Sequence, residues 1–124
     1  MKYLIGLDVG TSGAKCIKID ENGKVIASST QEYPLSTPRP GWAEQNPEDW
    51  WNGVVAGLKV ILAKANVAAE DIVGLSYSGQ MHGLVALDEN NEVIRPAILW
   101  CDQRTQKQCD ELTAKVGGLE NLLT

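Results

Sequence analysis

The first thirty residues constrain this chain most, because they read as three consecutive strands joined by two glycine turns. Residues 2–9 form an apolar run that ends in Asp8-Val9, and Gly10-Thr11-Ser12-Gly13 turns it. Lys15-Cys16-Ile17-Lys18-Ile19-Asp20 then alternates, with lysines expected outward and apolar side chains inward, the period-two signature of a half-buried strand. Asn22-Gly23 is a hairpin pair, and residues 24–30 return as a third strand. The chain therefore opens as an antiparallel three-stranded meander.

Residues 33–45 carry Pro34, Pro38, Pro40 and Gly41 and read as a loop. Asn46-Pro47-Glu48-Asp49 marks a helix start, with a capping amide, proline at the first helical position and acids in the first turn. Trp51, Val54, Val55, Leu58, Ile61, Leu62 and Ala65 recur at helical spacing and predict one apolar face, with Trp50 or Trp51 packed into the core. A strand follows over residues 72–78, then a second hairpin over 84–94 and a short strand over 96–100. Asp102 is expected to open and cap the next helix, whose pattern runs over 105–116 until Gly117-Gly118 breaks it. Residues 119–124 look like the start of another element, which suggests a piece of a longer enzyme. The order β-β-β-α-β implies an α/β layer fold.

Composition closes off several function classes. A hydrophobic content of 44% with 22% charged residues is globular. A net charge of −5 without a lysine or arginine cluster argues against nucleic acid. No apolar run approaches the ~20 residues of a membrane span, and the N-terminus lacks a signal peptide's apolar segment and cleavage site. Cys16, Cys101 and Cys109 cannot all pair with one another and form no Cys-x-x-Cys, so they are expected to be reduced thiols in the cytoplasm, with Cys16 buried in a strand.

Two turns could carry chemistry. In Asp8-x-Gly10-Thr11-Ser12-Gly13-x-Lys15, the glycines let backbone N–H groups approach an anion and the hydroxyls add donors. Asp8 could hold Mg²⁺ and Lys15 could meet a phosphate oxygen. The same residues also suit an ordinary hairpin turn. The second turn, Gly79-Gln80-Met81-His82-Gly83, holds the chain's one histidine at a strand end. His82 suits a general base, a substrate contact or a hydrogen-bonded structural role, whereas metal ligation lacks partner residues. Met81 alone reads as core packing, and Trp100 suits either the core or the C–H face of a sugar. Residues 41–45 read as an anchor for the proline-rich loop.

Taken together these segments resemble a family. Residues 5–15 resemble the first phosphate motif of the FGGY carbohydrate kinases, on the actin-like ATPase (ribonuclease H-like) fold. Residues 41–51 resemble the loop-to-helix segment of those kinases, and residues 74–83 with 98–105 are similar to the xylulokinase branch. Gluconate kinases, which can also carry a Met-His pair, are the alternative within the family, and a non-catalytic actin-like nucleotide module is the alternative outside it. The resemblance implies ATP-dependent phosphorylation of D-xylulose, with Met81, His82 and Trp100 on the sugar. It places Gly10, Thr11, Ser12, Gly13 and Lys15 near phosphate, and Asp8 near Mg²⁺ and the transferred group. It further implies that residues 1–124 are the first part of domain I, with the general base and the nucleotide-binding domain II elsewhere, so that this segment alone is inactive. The expected partners are a small ketose and ATP, with a homodimer as the candidate assembly and neither nucleic acid nor membrane involved.

Overall fold

A computed structural model describes residues 1–64 and 67–123. Strands β1 (Tyr3–Val9), β2 (Gly13–Asp20) and β3 (Val25–Glu32) form the expected meander. Helix α1 (Pro47–Ala63) then crosses to β5 (Ile72–Gly79), which lies parallel to β1 and completes a four-stranded sheet of order β3-β2-β1-β5. A single helical turn, Ala69–Asp71, leads into β5.

Asn46 caps α1 as its position predicts: its side chain accepts from the Glu48 N–H, with Pro47 inside the first turn. The helix packs on β2 and β3, and Ile61 closes a core of Ile5, Cys16 and Ala27. Burial pushes the Cys16 thiol pKa up, which keeps it protonated and unreactive.

The inward row of β2 differs from expectation. Ala14, Cys16, Lys18 and Asp20 are buried, whereas Ile17 and Ile19 share the other face with exposed Lys15. Lys15 and Lys18 stand three residues apart, so a strand of period two must send them to opposite faces. The inward ammonium of Lys18 donates to the carbonyls of Ile61 (2.9 Å) and Lys64 (2.7 Å), oxygens at the end of α1 that the helix ladder leaves open.

The buried stripe of α1 keeps Ile61, with Leu58 packed beside the core, from the predicted face, and departs from it elsewhere. It runs through Gly57 and Ile61, while Trp51 is 66% exposed and Leu62 points outward. Ala65, the last residue of the predicted face, lies outside the described residues. Glycine carries no weight in hydrophobic periodicity, yet here it sets the contact line. A Cβ on Gly57 would lie 2.6 Å from the Cys16 sulfur.

A second, smaller sheet comes from the loops. Its core is β4 (Glu44–Gln45) antiparallel to β6 (Ala97–Ile98), flanked by single bridges from Ser36 to Glu44 and from Leu84 to Ile98. The loop over residues 33–45 thus ends in a strand, which its proline content concealed. The predicted 84–94 hairpin keeps its turn but only one bridge, Leu87 to Val93. Helix α2 (Gln106–Lys115) begins four residues beyond Asp102, with Thr105 at its cap position. Asp102 caps nothing because its carboxylate is taken by the Arg104 guanidinium (2.6 Å) and the Ala43 N–H (2.7 Å). Helix α3 (Leu119–Leu123) follows the Gly117-Gly118 break. Among the described residues, no helix is long and apolar enough to cross a membrane.

Candidate active site

Parallel pairing of β1 with β5 brings the two candidate turns together. Register partners Asp8 and Ser78, then Val9 and Gly79, end the two strands side by side, and the Gln80 N–H donates to the Val9 carbonyl (2.9 Å). The carboxyl ends of neighbouring parallel strands are where open α/β sheets place ligands. A cavity of about 400 Å³ opens there, lined by Asp8, Gly10, Thr11, Gly79, Gln80, Met81, His82 and Trp100.

The β1–β2 turn closes with the Gly10 N–H on the Gly13 carbonyl (3.0 Å). Tyr33 braces it, donating its phenol to the Gly10 carbonyl and its N–H to that of Ser12. Burial, and then the nearby negative charge of Asp8, raises the Tyr33 pKa and keeps it a donor. Among the described residues, the N–H groups of Thr11 and Ser12 meet no protein acceptor, which leaves two donors for an anion. Gly13 is required by close approach, since a Cβ there would lie 2.6 Å from the Gln31 carbonyl oxygen. Asp8 is exposed and accepts from the Ser78 hydroxyl (3.2 Å). Lys15 lies outside this cavity. It pairs across the ladder with Asp8 and lines a neighbouring hollow of about 550 Å³ on the sheet face, which Asp8 also borders.

The sugar-side candidates are presented rather than packed. Met81 is 70% exposed and does not join the core that these residues form. His82 adopts φ 65°, a left-handed conformation uncommon outside glycine. Among the described residues its ring has no hydrogen-bond partner. Trp100 donates its indole N–H to the Thr11 hydroxyl (3.1 Å), which stands the ring at the cavity rim.

Two residues that the motifs did not single out join these parts. Thr11 Oγ1 donates to Gln80 Oε1 (3.2 Å), Gln80 Nε2 donates to Gln45 Oε1 (2.9 Å), and Gln45 Nε2 donates to the Thr11 carbonyl (2.6 Å). Gln80 lies inside the His82 motif and could have been flagged from it. Gln45, read only as a loop anchor, carries no local signal beyond its place before the Asn46 cap. Beneath it, the Glu44 carboxylate binds Arg95 (2.8 Å) and Arg104 (2.9 Å), and the Arg104 guanidinium lies 3.7 Å from the Trp42 ring centroid. Trp42 thus anchors the proline-rich loop, as its setting suggested.

The family follows from a direct match. The model of the FGGY family of carbohydrate kinases, N-terminal domain, aligns with residues 3–122. The chain belongs to that family. A xylulose kinase of Bacillus subtilis is 51% identical to this FGGY chain over 117 residues, covering 94% of it and 23% of the relative's own length. The crystal structure of a xylulose kinase from Rhodospirillum rubrum matches at a TM-score of 0.85 and 32% identity, over 94% of this chain and 24% of that one. A gluconate kinase from Lactobacillus acidophilus matches at 0.85 and 32%, over 92% and 23%. The four-stranded sheet with α1 on one face is thus the opening part of the FGGY sugar-kinase fold, the α/β architecture expected from the motifs. The chain spans about a quarter of the length of these FGGY relatives.

Proposed function

We propose that this chain is the N-terminal part of an ATP-dependent kinase that converts D-xylulose to D-xylulose 5-phosphate, acting in the cytoplasm. The observation that carries the reading is the shared cavity, which Asp8, Gly10 and Thr11 line together with Met81, His82 and Trp100. Phosphoryl transfer asks mainly for position and charge neutralisation, and this lining offers both. The free N–H groups of Thr11 and Ser12, with the tight Gly10 and Gly13 turn, would receive phosphate oxygens, and Lys15 would add positive charge from the sheet face. His82 would hydrogen-bond a sugar hydroxyl, with Met81 and the Trp100 ring against the C–H groups.

The donor set suits Mg²⁺ held largely by nucleotide and water. Among the described residues no cluster of three metal-ligating side chains exists, and Asp8 is a lone exposed carboxylate at the phosphate side. Bound there, the ion would neutralise charge on the phosphates. A carboxylate engaged with a cation is a poor proton acceptor, and Asp8 is the one acid lining the cavity among the described residues. The family resemblance implies that the base for the sugar hydroxyl lies in the remainder of domain I, outside these residues.

The likeness to a gluconate kinase favours a second reading, a sugar-acid substrate. Charge argues against it, because no lysine or arginine lines the cavity among the described residues. A carboxylate would face Asp8 without a guanidinium or ammonium partner. A panel of D-xylulose, D-gluconate and glycerol with the full-length enzyme tests this directly. We expect kcat/KM for D-xylulose to exceed the others by at least ~10-fold, as one lost charged or polar contact commands. His82→Ala should raise the sugar KM, and Asp8→Ala should lower kcat by about 100-fold or more with a smaller change in sugar affinity. Preference for gluconate, or an unchanged sugar KM in His82→Ala, would overturn the assignment.

A further inference from the structure

Gln45 is 2% exposed, and every polar atom of its side chain is committed. Its Oε1 accepts from the Trp50 indole N–H (2.9 Å) and from Gln80 Nε2 (2.9 Å), while its Nε2 donates to the Thr11 carbonyl (2.6 Å). The orientation of this amide is forced. An indole N–H only donates and a backbone carbonyl only accepts, so a flipped amide would oppose like groups at both ends. The base beneath is rigid: Gln45 ends β4, whose Glu44 is clamped by two arginines, and the next residue caps α1.

The contacts of Gln45 join parts of the chain that are distant in sequence. Thr11 belongs to the β1–β2 turn, Gln80 to the turn after β5, and Trp50 to α1. Trp100, from the segment after β6, is attached through the Thr11 hydroxyl. Three of the hydrogen bonds close a ring, Gln45 to Thr11 to Gln80 and back. In such a ring the displacement of one member strains its bonds to the others.

We propose that Gln45 is a positioning residue that holds the phosphate-side turn in register with the sugar-side turn. This rests on the kinase reading above. Transfer needs the sugar oxygen and the phosphorus within ~3.5 Å and in line, and a displacement of about 1 Å can cost ~100-fold in rate. Water tolerates such a displacement because it is small and not held in one place, so it can still reach the position in line with the leaving oxygen. A loosened ring therefore slows transfer to the sugar more than transfer to water. In that side reaction the γ-phosphorus forms a bond to water oxygen, its bond to the bridging oxygen breaks, ADP leaves, and inorganic phosphate and a proton are released.

The test is the molar ratio of sugar phosphate formed to ADP formed, measured on the full-length enzyme with saturating ATP and D-xylulose. The ratio is taken per turnover and does not depend on how much of a preparation is folded, so a merely structural role would not move it. For the wild type we expect a ratio near one. Gln45→Met keeps the shape and removes all three hydrogen bonds, whereas Gln45→Glu sets an oxygen against the Thr11 carbonyl. Both should lower kcat for sugar phosphorylation by ~10- to 100-fold and cut the ratio at least two-fold. Should Gln45→Met fold poorly, Gln80→Met breaks the same ring from a half-buried position and should shift the ratio in the same sense. Variants that keep the wild-type ratio, whatever their yield or thermal midpoint, would overturn the positioning role while leaving the kinase reading intact. A wild-type enzyme that forms no sugar phosphate would overturn both.

Discussion

His82 shows how a single residue can set backbone strain against function. Its φ of 65° lies in the left-handed region, where a Cβ costs about 1–2 kcal/mol and glycine costs nothing comparable. Glycines stand at 79 and 83, yet the strained position itself holds an imidazole that faces the cavity. Comparing two variants that both lack the ring isolates the backbone cost. His82→Gly should be more stable than His82→Ala by about 1 kcal/mol in urea unfolding, while both lose sugar affinity. Equal midpoints for the two would refute the strain. The same scale shows what a residue's type conceals. Lys18 is an inward residue in an inward row, and the parity of its spacing from Lys15 was readable. Its acceptors were not, because the carbonyls of Ile61 and Lys64 reach it only once α1 has docked.

Element by element, the sequence signals that worked are local ones: the Asn22-Gly23 hairpin, the Asn46-Pro47 helix start, the apolar run of β5 and the Gly117-Gly118 stop. Those that failed depend on a partner distant in the chain. The buried face of α1 was assigned from large apolar residues, but Gly57 seats the helix against Cys16, and Trp51 is left outside. Two opposing effects make this testable. Gly57→Ala improves helix propensity by about 1 kcal/mol. It also places a methyl 2.6 Å from the Cys16 sulfur, deep inside contact distance. Overpacking of a tight core costs about 1–3 kcal/mol, so the net change should be destabilising. Removing the sulfur should reverse the sign: Cys16→Ala with Gly57→Ala should be more stable than the sum of the two single changes predicts. Strict additivity in a double-mutant cycle would show that the helix does not bear on Cys16. The β4–β6 pairing was illegible for the same reason, since two-residue strands carry no periodicity and exist only through each other.

On the scale of the whole molecule, the candidate site is a product of topology. Asp8 and His82 are far apart in sequence, and only the parallel docking of β5 beside β1 makes them neighbours. The phosphate-type turn and the Met81-His82 turn were each visible as motifs, but the ring through Gln45 that ties them was not, because amide networks leave no pattern in sequence. The lower support of that ring is ionic, and it confers a pH dependence. Hydrogen bonds from the Arg104 guanidinium, with smaller help from the Ala43 and Arg104 N–H groups, hold the Asp102 carboxyl well below the usual carboxylate range, against the opposing effect of its burial. An unfolded Asp102 titrates near an ordinary value of about 3.9. Between the folded and unfolded values the unfolded chain binds more protons, so stability rises with pH there. The contribution is complete above about pH 4–5 and is lost as pH falls through the unfolded value towards the lower folded one. Asp102→Asn should therefore lower the urea midpoint at pH 7 and flatten the acid limb, so that wild type and variant converge as pH drops from 5 to 3. Acid limbs that stay parallel would show that the Arg104 pairing contributes nothing to folding. Convergence would show that the Asp102–Arg104 pair contributes to folding.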